Sequence, residues 1–281
     1  MLNKSIKSPV NIPVSKIHPF EGNPYKVQDN DEMNNLIGSI QEQGVLTPII
    51  IRPIENTDEY EVISGHRRLH ATVKAGMKEV PAFIYAVTRD EAAIMLVDSN
   101  LHREHILPSE KAFAYKLKLE AMKHQGITCG QVGHKSRDEI SDTDSGRQIQ
   151  RYIRLTYLIP ELLDLVDEEK IALTPAVELS YLTDEEQYAL LGSIEVEDRT
   201  PSLSQAVRFK KLSQTGNLSD DDIETIMQED KANQKPMFKV SMEKLQEIAP
   251  RVKDKDFEDF VLKACEHYYR YLLRQRDRDS R

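Results

Sequence analysis

Tryptophan is absent from this chain of 281 residues, cysteine occurs twice, and aromatic residues make up only 6% of the total. Cys129 and Cys265 lie far apart in sequence, which excludes a disulfide framework and an all-cysteine zinc site within one chain. No apolar run approaches the roughly 20 residues a membrane span needs, so a transmembrane protein is excluded. No apolar stretch follows Lys4 and Lys7 either, so the start is not a secretory signal and a cytoplasmic protein is expected. A positive total charge is also lacking, the formal net being −9. What is present, 39% hydrophobic and 30% charged residues, describes a helix-favouring chain whose length fits two or three domains with cores of their own.

The negative total hides an uneven distribution. Counted along the sequence, the net charge is −3 over 1–102, +3 over 103–159, −11 over 160–235 and +2 over 236–281. A basic face, rather than a basic total, is what releases counterions from DNA, so the second segment remains eligible to bind it. The acidic block from Glu161 onward is expected to be a solvated face that repels backbone phosphates.

Alternation over residues 10–15 predicts a strand, and His18 to Gln28 reads as a polar loop. Met33, Leu36, Ile37 and Ile40 recur at helical spacing, with Asp29 or Asp31 as the cap and Gly44 as the stop. Residues 47–52 and 60–64 form a hairpin pattern, 67–75 a short helix and 80–87 another strand. From Asp90 the pattern is helical: 90–101, 108–124, 136–141, 145–159, 161–167, 175–182, 184–194, 203–212, 220–228 and 257–274, with 230–235 as a linker. The expected fold class is an α+β N-terminal domain (1–100), an all-α domain (101–212), and a linker with a C-terminal helical segment (213–281).

Two clusters carry chemistry in the first domain. Gly65-His66-Arg67-Arg68 stands where a strand feeds a helix, so exposed N–H groups and guanidinium forks offer contacts to phosphate. Asp98-Ser99-Asn100-Leu101-His102-Arg103-Glu104 ends the next helix and adds amide and carboxylate oxygens for a hard cation. The string Gly65 to Ala71 resembles the Gly-Glu-Arg-Arg box of ParB partition proteins, Asn100 to Glu104 with Leu107 and Glu110 resembles their Glu-Asn-Leu-Gln-Arg box, and Gly44 to Ile49 resembles the segment before them, where Gln commonly replaces Thr47. This resemblance, running on to about residue 190, implies a ParB/sulfiredoxin-like N-terminal domain that binds CTP with Mg²⁺ and closes as a clamp on DNA. Thr47, Gly65, His66, Arg67, Arg68, Ser99, Asn100 and Arg103 would then line the nucleotide, with Asn100 and Glu104 at the metal. Two departures bear on turnover. His66 stands in place of an acidic residue and Ser99 in place of the Glu before Asn100, so a CTPase would be slow or inactive.

The second domain carries a helix-turn-helix pattern. Ile149 and Ile153 would face inward while Arg147, Gln150, Arg151 and Arg154 share another face with no carboxylate. Arg can read guanine and Gln adenine in the major groove, Gln148 joins the expected contacts, and Arg137 and Ser145 would take phosphates. Asp144 occupies a position where an apolar residue would ordinarily pack. Residues 155–160 resemble the end of the ParB reader. The expected partners are double-stranded DNA with an inverted repeat, a second copy of the chain paired through Phe257 to Tyr271, and, by the resemblance, a ParA-type ATPase, although Lys4 and Lys7 are the only basic residues in 1–9. The function implied is segregation of a chromosome, plasmid or mobile element by a nucleoid-associated protein. From another class, an ATP-dependent kinase on the same N-terminal fold is the alternative. The sulfiredoxin Gly-Cys-His-Arg motif is similar to Ser64-Gly65-His66-Arg67, but its reactive cysteine is missing here.

Overall fold

The computed structural model describes residues 8–103, 105–125, 144–229 and 257–279, together with Ala249 and Val252. The chain divides into two compact units, Met1–Glu229 and Asp230–Arg281. The first begins with β1 (Val10–Pro13), a 3-10 turn, β2 (Ile17–His18), α1 (Asp31–Gln43), β3 (Ile49–Pro53), β4 (Tyr60–Ser64), α2 (His66–Lys74) and β5 (Glu79–Ile84). The strands make one mixed sheet in the order β1-β5-β3-β4-β2. Antiparallel pairs are β1 with β5 and β3 with β4, and parallel pairs are β5 with β3 and β4 with β2. The expected hairpin is β3–β4, with Ile51 opposite Val62 and Pro53 opposite Tyr60. The two-residue β2 occupies the entry to the expected polar loop, too short to leave an alternating pattern.

Both sheet faces are covered, which is why β3 and β4 read as nearly continuous apolar runs. Ile49, Ile51 and Val62 pack with Leu69 of α2 on one face. Ile50 and Ile63 turn to the other, against α3 (Arg89–Asn100) and α4 (Pro108–His124). Beyond the apolar run lies a buried ion pair: Arg52 Nε donates to Glu61 Oε2 at 2.8 Å, and Glu61 Oε1 accepts from the Glu21 N–H at 3.0 Å. The pair thereby ties the 20–22 loop to the sheet. Asn30, rather than either neighbouring aspartate, caps α1 by accepting from the Met33 N–H at 3.0 Å. Asp29 is taken by His70 and Lys74 of α2, at 2.8 and 2.6 Å.

After α4 come α5 (Gly146–Leu155), α6 (Pro160–Asp167), α7 (Leu173–Leu179), α8 (Asp184–Glu197), α9 (Leu203–Gln214) and α10 (Asp220–Gln228). Thr183, Ser202 and Ser219 start α8, α9 and α10 through capping boxes. The expected helix over 145–159 stops at Leu155, because Pro160 begins the next helix and holds Ile159 extended at ψ 152°. The expected boundary at 212/213 falls inside the helical core: Ile223, Ile226 and Met227 of α10 are buried with Phe209, and the unit closes at Glu229. The expected boundary at 100/101 likewise crosses one core, shared by Leu96 of α3 and Tyr115 of α4. The expected helix over 136–141, Arg137, Glu104 and the 230–235 linker lie outside the described residues.

In the second unit the described element is α11 (Phe257–Asp279), which continues five residues beyond the expected end at Arg274. Leu262, Tyr268 and Tyr269 are each more than 60% exposed on it. The Tyr268 and Tyr271 rings stack at 6.2 Å. Among the described residues, no helix is long and apolar enough to cross a membrane.

Replacing Glu61 alone strands a buried guanidinium and the Glu21 N–H, so Glu61→Ala is expected to cost about 3–5 kcal/mol of unfolding free energy in a urea titration. The apolar pair Arg52→Met with Glu61→Leu is expected to lose much less.

Candidate nucleotide and DNA sites

The first site draws on the start of α2 and on the residues that follow α3. Gly65, with φ at 103°, turns β4 into α2 without a side-chain cap, leaving first-turn N–H groups of α2 available to an anion. Only glycine suits this position. A Cβ there would lie 2.8 Å from Ile49 Cγ2 and 3.2 Å from Arg68 Nη2, on a backbone that side chains rarely adopt. His66 follows as the first helical residue. The Phe20 N–H donates to its Nε2 at 3.4 Å, which leaves the ring proton on Nδ1. Burial and then the nearby Arg103 charge push its pKa down from 6.5 to about 4, so the ring is neutral near pH 7.

The two arginines expected to share a triphosphate diverge. Arg67 is exposed and donates through Nη2 to Glu32 Oε2 of α1 at 3.0 Å. Arg68 folds inward and donates through Nη1 to the Thr47 and Pro48 carbonyls, at 2.6 and 2.7 Å, which pins the strand entry of β3. Burial lowers its pKa. Beside it a cleft of about 150 Å³ is lined by Leu36, Ile40, Gly44, Val45, Thr47 and Arg68, so Thr47 contributes a carbonyl to the wall.

At the end of α3, Asn100 is buried and its Nδ2 donates to the Leu96 carbonyl at 2.7 Å and to Ser99 Oγ at 3.2 Å. Ser99 Oγ itself donates to the Leu96 carbonyl at 3.0 Å. Arg103 lies with its guanidinium 5.4 Å from the centre of the Tyr25 ring. Thus the Arg103 charge lies near His66, Asn100 bonds within the end of α3, and Arg67 points toward α1. For a metal, the amide oxygen of Asn100 is the oxygen this cluster offers, and no group of three His, Cys, Asp or Glu suited to a metal occurs among the described residues. Such a donor set fits a Mg²⁺ ion whose remaining oxygens come from phosphates and water.

The second site is α5. Ser145 caps it by accepting from the Gln148 N–H at 3.3 Å. Ile149 is buried in the core shared with α3 and α4, Leu155 in the helical core, and Tyr152 packs against both. Asp144, at the apolar position of the pattern, is satisfied by α4: Lys111 Nζ donates to its Oδ2 at 3.0 Å and the Tyr115 hydroxyl at 2.5 Å. Arg147 is exposed and Gln150 half-buried. Arg151 donates through Nη1 to Gln148 Oε1 at 3.2 Å and through Nη2 to Thr174 Oγ1 of α7 at 2.6 Å. Arg154 departs from the expected reading face and turns to Ser180, just past α7. Sequence reasoning missed Glu32, Tyr25, Thr174 and Ser180, which reach these sites from other elements; periodicity along one helix carries no signal of them.

Residues 2–101 match the ParB N-terminal domain. The chain is 32% identical over 171 residues to the chromosome-partitioning protein Spo0J of Thermus thermophilus, covering 61% of this chain and 59% of that one. With a nucleoid occlusion protein of Listeria monocytogenes it shares 34% identity over 131 residues, 47% of this chain and 45% of the relative. The chain thus spans about half the length of the curated relatives it matches. Two crystal structures of the C-terminally truncated ParB of Caulobacter crescentus also align. One is complexed to the centromeric parS site, with 20% identity, a TM-score of 0.42 and coverage of 78% of this chain and 98% of that chain. The other is complexed with CTP-gamma-S, with 23% identity, a TM-score of 0.32 and coverage of 66% and 98%.

The His66 shift gives a pH signature. Its folded pKa of about 4 lies below the ordinary 6.5, so on acidification the unfolded chain takes up the proton first. Stability from this group is full above pH 6.5 and is lost as pH falls toward 4. Chemical denaturation of His66→Gln at several pH values is expected to show a shallower decline across that window than the parent.

Proposed function

We propose that the chain is a ParB-like partition protein: a sequence-specific binder of double-stranded DNA whose N-terminal domain takes CTP with Mg²⁺ and acts as a nucleotide-gated clamp. The observation that carries this reading is the chemistry of α5. It is a capped helix anchored by Ile149 and Leu155, with Arg147 exposed, Gln150 half-buried and no carboxylate in its sequence. Arg147 and Gln150 are the base-edge readers, and Arg151 joins them by exchanging Gln148 and Thr174 for DNA. Ser145, Gln148 and Arg137 contribute backbone contacts. Two copies paired through α11, whose tyrosines are exposed in the single chain, would present two readers to an inverted repeat. The protein acts on the nucleoid in the segregation of a chromosome, plasmid or mobile element, with a ParA-type ATPase as motor.

For the nucleotide, the first-turn N–H groups of α2 after Gly65 receive phosphate oxygens. Arg67 releases Glu32 to meet the same charge, and Arg103 and the His66 Nδ1–H border the site. Asn100 offers its amide oxygen to the Mg²⁺, with Glu104 as a second oxygen donor. Neither His66, neutral near pH 7, nor Ser99, whose proton goes to a carbonyl, can act as a carboxylate, which favours binding without turnover. Nucleotide then works as a switch whose available free energy is only its differential affinity for closed over open domains.

Calorimetry with CTP, ATP and GTP in the presence of Mg²⁺ tests the nucleotide reading: CTP is expected to bind tightest, and Arg67→Ala to abolish the heat. Equal heats for all three, or none, would remove it. For DNA, Arg147→Ala and Gln150→Ala are each expected to weaken binding to the site enriched among DNA fragments that copurify with the protein by about 1–3 kcal/mol in mobility-shift titrations at fixed salt.

A further inference from the structure

Arg154 sits at the end of the reader helix, where the sequence places a base contact, yet its guanidinium is spent inside the protein. We infer that Arg154 is a positioning residue that fixes the setting of α5 against α7, and that it does not read bases; this rests on the DNA-binding reading of α5 above. Its Nε donates to Ser180 Oγ at 3.1 Å and its Nη2 to the Ser180 carbonyl at 2.7 Å. Ser180 is buried, and its own hydroxyl proton goes to the Val177 carbonyl at 2.7 Å. The Ser180 oxygen therefore faces Arg154 as an acceptor, oriented by α7.

Aromatic rings hold the other dimension. The guanidinium carbon lies 3.9 Å from the centre of the Tyr181 ring and 4.4 Å from that of Tyr157. The alternation continues outward on both sides. Lys210 Nζ of α9 is 3.7 Å from the Tyr181 ring centre, and Lys116 Nζ of α4 is 5.9 Å from that of Tyr157. Lys210 is held in turn by Glu178 at 2.8 Å. Cation and ring alternate along five side chains that join α4, the end of α5, the end of α7 and α9. Such a ladder attracts because each cation meets the negative face of a ring.

Its mechanical role follows from the anchors. Ile149, Tyr152 and Leu155 fix the depth of α5 in the two cores, and rotation about the helix axis falls to the polar contacts on its flank. The forked contact to Ser180, just past α7, opposes that rotation together with the bond from Arg151 to Thr174. A small turn of a helix displaces the tips of Arg147 and Gln150 enough to misalign base-edge hydrogen bonds. Lysine cannot substitute, since a point charge lacks the planar fork that engages two acceptors while lying on a ring.

The test compares variants of the full chain for binding to the DNA site recovered with the protein and to a scrambled duplex, at fixed salt, with thermal melting in parallel. Ser180→Ala and Tyr181→Leu alter residues that are not readers. Both are expected to lower the preference for the cognate site by about tenfold, with scrambled-duplex binding and melting retained. Tyr181→Phe, which keeps the ring, should behave as the parent, and Arg154→Lys should be as impaired as Arg154→Ala. If Arg154→Ala loses discrimination while Ser180→Ala and Tyr181→Leu keep it, Arg154 contacts bases and the inference is overturned. It is equally overturned if Arg154→Ala discriminates like the parent. A parent protein without preference for any duplex would instead remove the DNA reading on which the inference rests.

Discussion

The first unit depends on α4 having a partner on both sides. Its Ala114, Tyr115, Ala121 and Met122 belong to the core formed with α3 and the sheet, whereas Ala112 belongs to the helical core beyond. Polar contacts repeat the division: Lys118, nearly buried, pairs with Asp98 of α3 at 2.5 Å, and Ser109 N–H donates to Asp167 of α6 at 2.9 Å. Small residues at Ala112 and Ala114 let neighbouring helices approach closely. Since both cores are close-packed, a shift of α4 toward one is resisted by the other.

This constraint orders the two candidate sites. The proposed nucleotide site draws on residues at the start of α2 and the end of α3, and α3 is bound to α4 through its buried face. Helix α5, the proposed reader, is bound to the same α4 through Asp144, which gathers Lys111 and Tyr115, and through the tilted Tyr115 and Tyr152 rings, 6.0 Å apart. An acidic residue at an apolar position of the pattern looked like a flaw in the sequence. In the fold it satisfies two donors of α4 and lies beside the N-terminus of α5, where negative charge is favourable.

Much of the architecture was legible because it depends on local rules. The β3–β4 hairpin announced itself through apolar runs and a polar turn, α4 through Pro108 at its first position, and the turn into α2 through Gly65. Contacts between elements were not legible. Arg52 and Glu61 sit in strands as polar residues that period-2 reasoning would send to solvent, yet they bury one another. Asp29 was a plausible cap until His70 and Lys74 of α2 claimed it. Arg154 shares a helical face with Arg147, but a wheel drawn for one helix contains no neighbour, and the neighbour decides where the guanidinium goes. The residues proposed for the nucleotide were chosen by motif, whereas the destinations of Arg67 and Arg68 depend on α1 and on the entry to β3.

The strand order of the sheet has a consequence for synthesis. In β1-β5-β3-β4-β2, the first strand pairs only with the last, Val10 opposite Ala82, and β2 must wait for β4. As the chain emerges from the ribosome, β3 and β4 can pair at once, but β1 has no neighbour until residue 84 has been made. During that interval Ile12 and Ile17, later buried, remain in water. The sheet therefore closes from its middle outward, with the first-made of its strands docking last.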